Sequence, residues 1–299
     1  MAMHAHGSVI VRFGDTVVFA TATRTEEPKD AVGYFPLTVD YEEKYYAAGA
    51  ILGSRFLRRE GRPSEEAVLV ARLIDRTMRP LFNKKIRNAI HIVVTTLSID
   101  GENDPDIPAV LASSLAVATS DIPWDGPVSA VRIGEDSEGK FIVNPTHKER
   151  EAVKTDIVVS GKNGKINMVE AGVNELPEKQ MEKAFKKALE EIEKLEAFQK
   201  KIIEEVGKGK RALPLFGDSP EVRDMFRKHF MERLNDYIYI FDKPTRNTRI
   251  GELKEEWMKV VSEQFPDFLN AANDIFEEFI DEVVNLNILE HDKRTDHRP

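Results

Sequence analysis

The spacing of apolar residues changes character once along this chain, near Pro214. Ahead of that point, stretches that alternate apolar and polar residues or run β-branched are interleaved with stretches of helical period. Beyond it only helical period remains. A chain patterned in this way is expected to build a mixed α/β domain over 1–212 and a small all-helical domain over 213–292. With 299 residues and 41% hydrophobic content, it can bury a core in each.

Residues 8–13 and 16–22 read as strands flanking Gly14-Asp15, a two-residue hairpin connection. Further strands are expected at 36–41, 89–98, 128–133, 141–144, 155–160 and 165–172. The run 89–98 is β-branched enough for the centre of a sheet, and Asn163-Gly164 marks a hairpin between the last two strands. Ser64, ahead of Glu65 and Glu66, is a good N-cap for a helix over 65–79 that Pro80 stops. Residues 107–120 are rich in Ala and Ser and can pack close against a sheet. Residues 178–206 form an amphipathic helix with Met181, Phe185, Ala188, Ile192, Leu195, Ile202 and Val206 on one stripe. Later helices are expected over 219–240, 248–264 and 267–288, with Phe226, Phe230, Leu234, Trp257, Val261, Phe268, Ile275, Phe279, Val283 and Leu286 inward. Tyr237–Phe241 reads better as a buried segment than as a platform for bases.

Charge is distributed unevenly. The chain carries a formal net charge of −9, yet residues 51–90 hold ten Arg or Lys against four acids. That window is +6 and the remainder −15. Most of the ten are Arg, whose planar fork suits phosphate, so the island reads as a site for a polyanion, most simply a nucleic-acid backbone. Arg58, Arg59 and Arg62 fall on the turn into the helix at Ser64, next to Phe56 and Leu57. There an aromatic can stack on bases while arginines hold phosphate. Arg72, Arg76 and Arg79 follow at i, i+4 and i+7 on one helix face; structural ion pairing, for example to Asp75, is the competing use of these three.

The absence of cysteine excludes disulfides and thiol catalysis. No apolar run is long enough to span a membrane and no signal peptide is visible, so a cytoplasmic location is expected. Asp100, Glu102, Asp104 and Asp106 place four acids in seven residues. They could hold a hard cation but read better as an acidic turn, with Asp106 at a helix start. The seven histidines lack zinc spacing, and Ser113-Ser114 has no base beside it. No catalytic residue and no metal ligand is assigned.

The motifs Gly7-Ser8-Val9, Arg12-Phe13-Gly14-Asp15-Thr16-Val17-Val18, Phe35-Pro36-Leu37-Thr38-Val39-Asp40-Tyr41-Glu42-Glu43-Lys44, Arg59-Glu60-Gly61-Arg62-Pro63-Ser64-Glu65, Arg72-Leu73-Ile74-Asp75-Arg76 and Asn103-Asp104-Pro105-Asp106 resemble, in order, the bacterial polynucleotide phosphorylase family. The resemblance implies an α/β fold: a ribonuclease-PH-like mixed-sheet domain with packed helices, N-terminally truncated, followed by an all-helical linker domain. Residues 293–299 then resemble the start of a second ribonuclease-PH-like domain, with His297 where the family usually has Gly.

It also implies a phosphate-dependent 3′→5′ exoribonuclease that releases nucleoside diphosphates in mRNA degradation. Mg²⁺ and inorganic phosphate would be bound by the second domain, and no cofactor is expected in this chain. The implied partners are single-stranded RNA threaded through a homotrimeric ring, the second ribonuclease-PH-like domain, and an RNA-degradation complex. The loop Phe56-Leu57-Arg58-Arg59 resembles the family's channel-facing Phe-Phe-Arg-Arg, with one ring lost at Leu57. Asp156 keeps the position of a metal-binding acid, but Val158 stands where catalytic domains of the family carry Lys. The chain is thus expected to guide RNA and scaffold the trimer as the N-terminal part of such an enzyme, without catalysing. The alternative is a stand-alone, non-catalytic RNA-binding or assembly module.

Overall fold

A computed structural model of the protein describes every residue except 30–33, 52, 54–60, 218 and 299. Phe56, Leu57, Arg58 and Arg59 lie outside the described residues. The chain divides into two compact units that part between Pro214 and Leu215.

In the first unit, β1 (Gly7–Phe13) and β2 (Thr16–Arg24) form an antiparallel hairpin. Gly14 turns between them at φ +62°, a region that favours glycine. With β3 (Leu37–Glu42) and β4 (Ile90–Ser98) they make a sheet of order β1-β2-β4-β3, in which only β3 and β4 are parallel. The β-branched run is central, as its composition requires. α1 (Glu65–Met78) lies between β3 and β4 in sequence; the Ser64 hydroxyl accepts from Ala67 N at 3.0 Å to cap it. Pro80 ends the α geometry, although Arg79–Leu81 adds one 3₁₀ turn.

α2 (Asp106–Ala118) leads into a second sheet of β5 (Ser129–Glu135), β6 (Phe141–Val143), β7 (Thr155–Lys162) and β8 (Lys165–Val173). This sheet is antiparallel in the order β6-β5-β7-β8, with the short α3 (His147–Arg150) between β6 and β7. Asn163 and Gly164 join β7 to β8 at φ +51° and +71°, as a tight primed turn requires. α4 (Glu178–Val206) closes the unit.

Four layers result. Ala20, Ala22, Ile92 and Val94 of the first sheet pack on Ile74 of α1 and on Ala109, Ala112 and Ala116 of α2, and Ala130, Val158 and Met168 of the second sheet join the same core. The opposite face of the second sheet, with Val131, Ile133, Ile157 and Val159, packs on Ala184, Ala188 and Ile192 of α4. Period-2 alternation therefore aims even-numbered residues of β5 and β7 at α2 and odd-numbered ones at α4. The stripe of α4 ends earlier than its spacing predicts. Val206 is 59% exposed, whereas Glu196 and Gln199 are buried with partners for part of their polar atoms: Asn163 N donates to Glu196, and Gln199 donates to Val128 O and the Ser129 hydroxyl.

The second unit is a helical bundle of α5 (Pro220–His229), α6 (Met231–Ile238), α7 (Lys243–Gln264) and α8 (Leu269–His291). Phe226 is its hub. Its ring stacks on Phe279 at 4.3 Å and meets the edges of Trp257 and Phe276. Three expectations need correction here. The single helix over 219–240 breaks at Phe230, whose φ of −121° lies off the α region. α7 starts five residues early because the Asp242 side chain accepts from Thr245 N. Leu286, expected inward, is 47% exposed.

Candidate nucleic-acid interface and an acidic hollow

α1 buries Ala67, Leu73, Ile74, Thr77 and Met78, so the i, i+4 pair Arg72 and Arg76 falls on its exposed side. Both arginines line a cleft of about 690 Å³ between α1 and β3, facing Asp40 and Glu42. Arg72 makes no ion pair among the described residues. Arg76 reaches Glu170 at 3.5 Å with both side chains 56% exposed, a contact worth at most about 1 kcal/mol. Arg62 is exposed ahead of the helix.

Arg79 behaves differently. Its guanidinium grips Asp75 in bidentate fashion at 2.5 and 2.8 Å, donates to the carbonyls of Leu37 and Phe35 at 3.1 and 3.3 Å, and lies over the Phe35 ring. Those bonds tie the end of α1 to the start of β3. Arg79 is thereby occupied structurally, the competing use foreseen for this stripe.

A second constellation went unread in the sequence. Arg132 on β5, only 8% exposed, donates to Asp106 at the start of α2 and to Asp156 on β7, and lies 3.7 Å from Asp104. Arg150 at the end of α3 donates to Asp104 at 2.6 Å and to Asp156 at 2.8 Å. Three carboxylates thus share two guanidiniums beside a hollow of about 330 Å³, which Leu69, Leu73 and Val158 line on its apolar side. Burial, and next the charge of Asp104, push the Asp106 carboxyl up to about 6, against the pull of Arg132. Burial tends to lower the Arg132 pKa, but the charges of Asp106 and Asp156 outweigh it and raise it. A charged residue inside the otherwise apolar run Ala130–Ile133 was the available sign that β5 carries a buried counter-charge.

Asp100, the first acid of the loop, is structural. Asp100 accepts from the backbone N–H groups of Asp15, Glu102 and Asn103 and from the Asn103 amide, at 2.7–3.1 Å. Partial desolvation would raise its pKa, but these bonds outweigh it and hold the carboxyl well below the usual carboxylate range. His91, exposed on β4, pairs with Asp40 at 2.7 Å. Ser113 and Ser114 are buried at the helix–sheet contact, where Ser114 accepts from Val128 N.

Two models of the 3′ exoribonuclease family match the α/β unit, domain 1 over residues 1–123 and domain 2 over 126–191. Together they cover more than half of the sequence.

The chain belongs to the 3′ exoribonuclease family.

The polyribonucleotide nucleotidyltransferase of Caldicellulosiruptor saccharolyticus is 43% identical over 297 residues, which is 99% of this chain and 42% of that relative. That of Heliobacterium modesticaldum is 40% identical over 298 residues, again covering 42% of the relative. The chain therefore spans less than half the length of the curated relatives it matches. Among solved structures, a chain of the Archaeoglobus fulgidus exosome with RNA bound to the active site superposes with a TM-score of 0.53 at 18% identity, over 66% of this chain and 85% of that one. A rice (Oryza sativa) chain superposes with a TM-score of 0.56 at 14% identity, over 67% and 90%. These two establish a shared fold.

A divalent cation does not fit the acidic hollow. The carboxylates of Asp104, Asp106 and Asp156 that could ligate it are already committed to Arg132 and Arg150. A cation there would meet two fixed positive charges, and Val158 offers it no donor. Among the described residues no group of three or more His, Cys, Asp or Glu is arranged to hold a metal ion. No described helix is long and apolar enough to cross a membrane.

Proposed function

We propose that this chain is the RNA-guiding and trimer-scaffolding part of a polynucleotide phosphorylase, a phosphate-dependent 3′→5′ exoribonuclease that acts in mRNA degradation in the cytoplasm, and that it does not itself catalyse phosphorolysis. One observation carries the reading: Asp156, the position of a metal-binding acid in catalytic domains of the family, is clasped by two guanidiniums, with Val158 in place of a lysine. With its acid already paired, such a site has no free carboxylate for a metal ion; its two guanidiniums are neutralised by Asp104, Asp106 and Asp156, and Val158 adds no positive charge for a transferring phosphoryl group. Mg²⁺ and inorganic phosphate would then be held by a second ribonuclease-PH-like domain.

Arg72 and Arg76, exposed side by side on α1, belong to the basic island of residues 51–90 that also holds Arg58, Arg59 and Arg62. They favour a single-stranded RNA backbone as ligand. Arg79 acts through position, by fixing the end of that helix.

The test is release of nucleoside diphosphates from poly(A) in phosphate and Mg²⁺. The 299-residue chain should stay at background. Release well above background, abolished by Asp156→Ala, would make this unit catalytic and overturn the proposal.

A further inference from the structure

Tyr237–Phe241 was expected to be buried, and most of it is half-buried or buried, but Phe241 is 81% exposed. α6 spends Leu234 and Ile238 on the bundle core and ends at Ile238, so the ring of Phe241 is carried out into solvent just before the Asp242 cap of α7. Around it the chain gathers positive charge. Residues 239–249 and 291–298 carry +3 between them, in a protein of net −9.

The surroundings of Phe241 are held in place. Arg246 donates to Ile240 O and Thr295 O, both at 3.4 Å, and so pins the segment after α8 against the α6–α7 turn. Tyr239 donates to Lys293 O at 3.2 Å, and the Lys293 ammonium lies 4.0 Å from the centre of the Tyr239 ring. Asp296 clasps Arg294 and Arg298, which hold its carboxyl well below the usual range. The His297 ring stands 5.4 Å from that of Phe241. An open phenyl ring two residues before Lys243 in the chain, with an imidazole beside it, is the combination that grips single strands: a flat face for a base and a cation for a phosphate next to it.

We propose that this aromatic–basic platform on the helical unit is a second contact for single-stranded RNA, with Phe241 stacking on a base and Lys243 meeting a flanking phosphate. It rests on the RNA-guiding reading of the chain and adds a site on the helical unit to the one argued from α1.

The experiment is fluorescence anisotropy of a labelled oligo(A) of roughly twelve nucleotides, a length within the usual single-strand site range, titrated with the full chain. Phe241→Ala should weaken binding about fivefold or more, as loss of a stacked base does, with an unchanged salt slope. Phe241→Trp should retain binding. Lys243→Ala should lower the salt slope by about 0.7. Phe241 is exposed, so circular dichroism of these variants should match the parent. If Phe241→Ala binds like the parent while Arg72→Ala/Arg76→Ala binds less tightly, the platform is not an RNA contact, although α1 is. If neither variant weakens binding, both the platform and the guiding role fall together. Weakening by Phe241→Ala alone supports the platform and removes α1 from the RNA path.

Discussion

Replacing Arg132 by Leu tests the acidic hollow most sharply. The change removes the guanidinium that bridges Asp106 and Asp156 and leaves Asp106, only 4% exposed, without a counter-charge. Breaking a buried pair by deleting one partner costs about 3–5 kcal/mol. The loss is capped, because a stranded carboxylate can take up a proton at about 1.4 kcal/mol per pKa unit. Burial and Asp104 already push Asp106 up to about 6 with Arg132 present, so without it the group should be neutral near pH 7. A carboxyl whose folded pKa exceeds its unfolded value destabilises the fold as pH rises through the interval between the two. In the parent that interval runs from about 4 to about 6, and in the variant it extends upward. The deficit of Arg132→Leu should therefore be larger at about pH 7.5 than at about pH 5.5, either side of that upper limit. At the higher pH a loss of about 3 kcal/mol lowers Tm by roughly 6–12 °C for a unit of this size. The assay is calorimetry of the full chain, following the transition of the α/β unit. Asp106→Leu with Arg132→Leu, which replaces the pair by apolar groups, should recover more than half of the loss. A Tm within about 2 °C of the parent, well short of that range, would refute the reasoning. So would an equal deficit at both pH values, or a double variant worse than the single one.

Other outcomes are expected. Arg72→Ala with Arg76→Ala should weaken single-stranded RNA binding whatever the sequence and lower the salt slope by about 1.4, two phosphate contacts at about 0.7 each; the same applies to Arg58→Ala with Arg59→Ala, and anisotropy across a salt series reads both. Asp100→Ala should cost about 1–2 kcal/mol through its lost hydrogen bonds. Because the Asp100 pKa is depressed, that contribution is present above about pH 4 and fades below it, so thermal melts of parent and variant should converge in acid. Residues 213–292 expressed alone should show a cooperative helical melt by circular dichroism, since Phe226, Trp257, Phe276 and Phe279 bury one another; a disordered spectrum would make the bundle dependent on the α/β unit.

The order and type of the elements were legible because each is written in local spacing. The Asn-Gly and Gly-Asp turns, the Ser64 cap and the Ala/Ser-rich α2 fixed their positions to within a few residues. Residue-level burial was less legible. Val206 and Leu286 continue their stripes on paper but stay 59% and 47% exposed, and Phe241 emerges because its helix ends at Ile238, three residues earlier. The Arg132 network was hidden for a different reason. Its members come from residues 104, 106, 132, 150 and 156, and only the pairing of β5 with β7 beside α2 brings them together. Sequence spacing carries no trace of such a meeting.

The position of α2 has a consequence for how the α/β unit can be inherited. Two family models divide the unit between residues 123 and 126, as though the halves were separable modules. α2 belongs to the first half but packs against β1, β2 and β4 on one side and β5 on the other, with nearly all of its residues buried. Its fit is close. A methyl added at Gly7 would come within 1.9 Å of Ala116 O, and the Ser114 hydroxyl is taken by Val128 N from across the division. Either half alone would expose a flat apolar face to water, so the two should unfold together. Recombination at the sequence boundary would then succeed only between relatives whose α2 and β5 surfaces already match. The unit can be divided as a text at residue 124, but as a folded object it has to be exchanged whole.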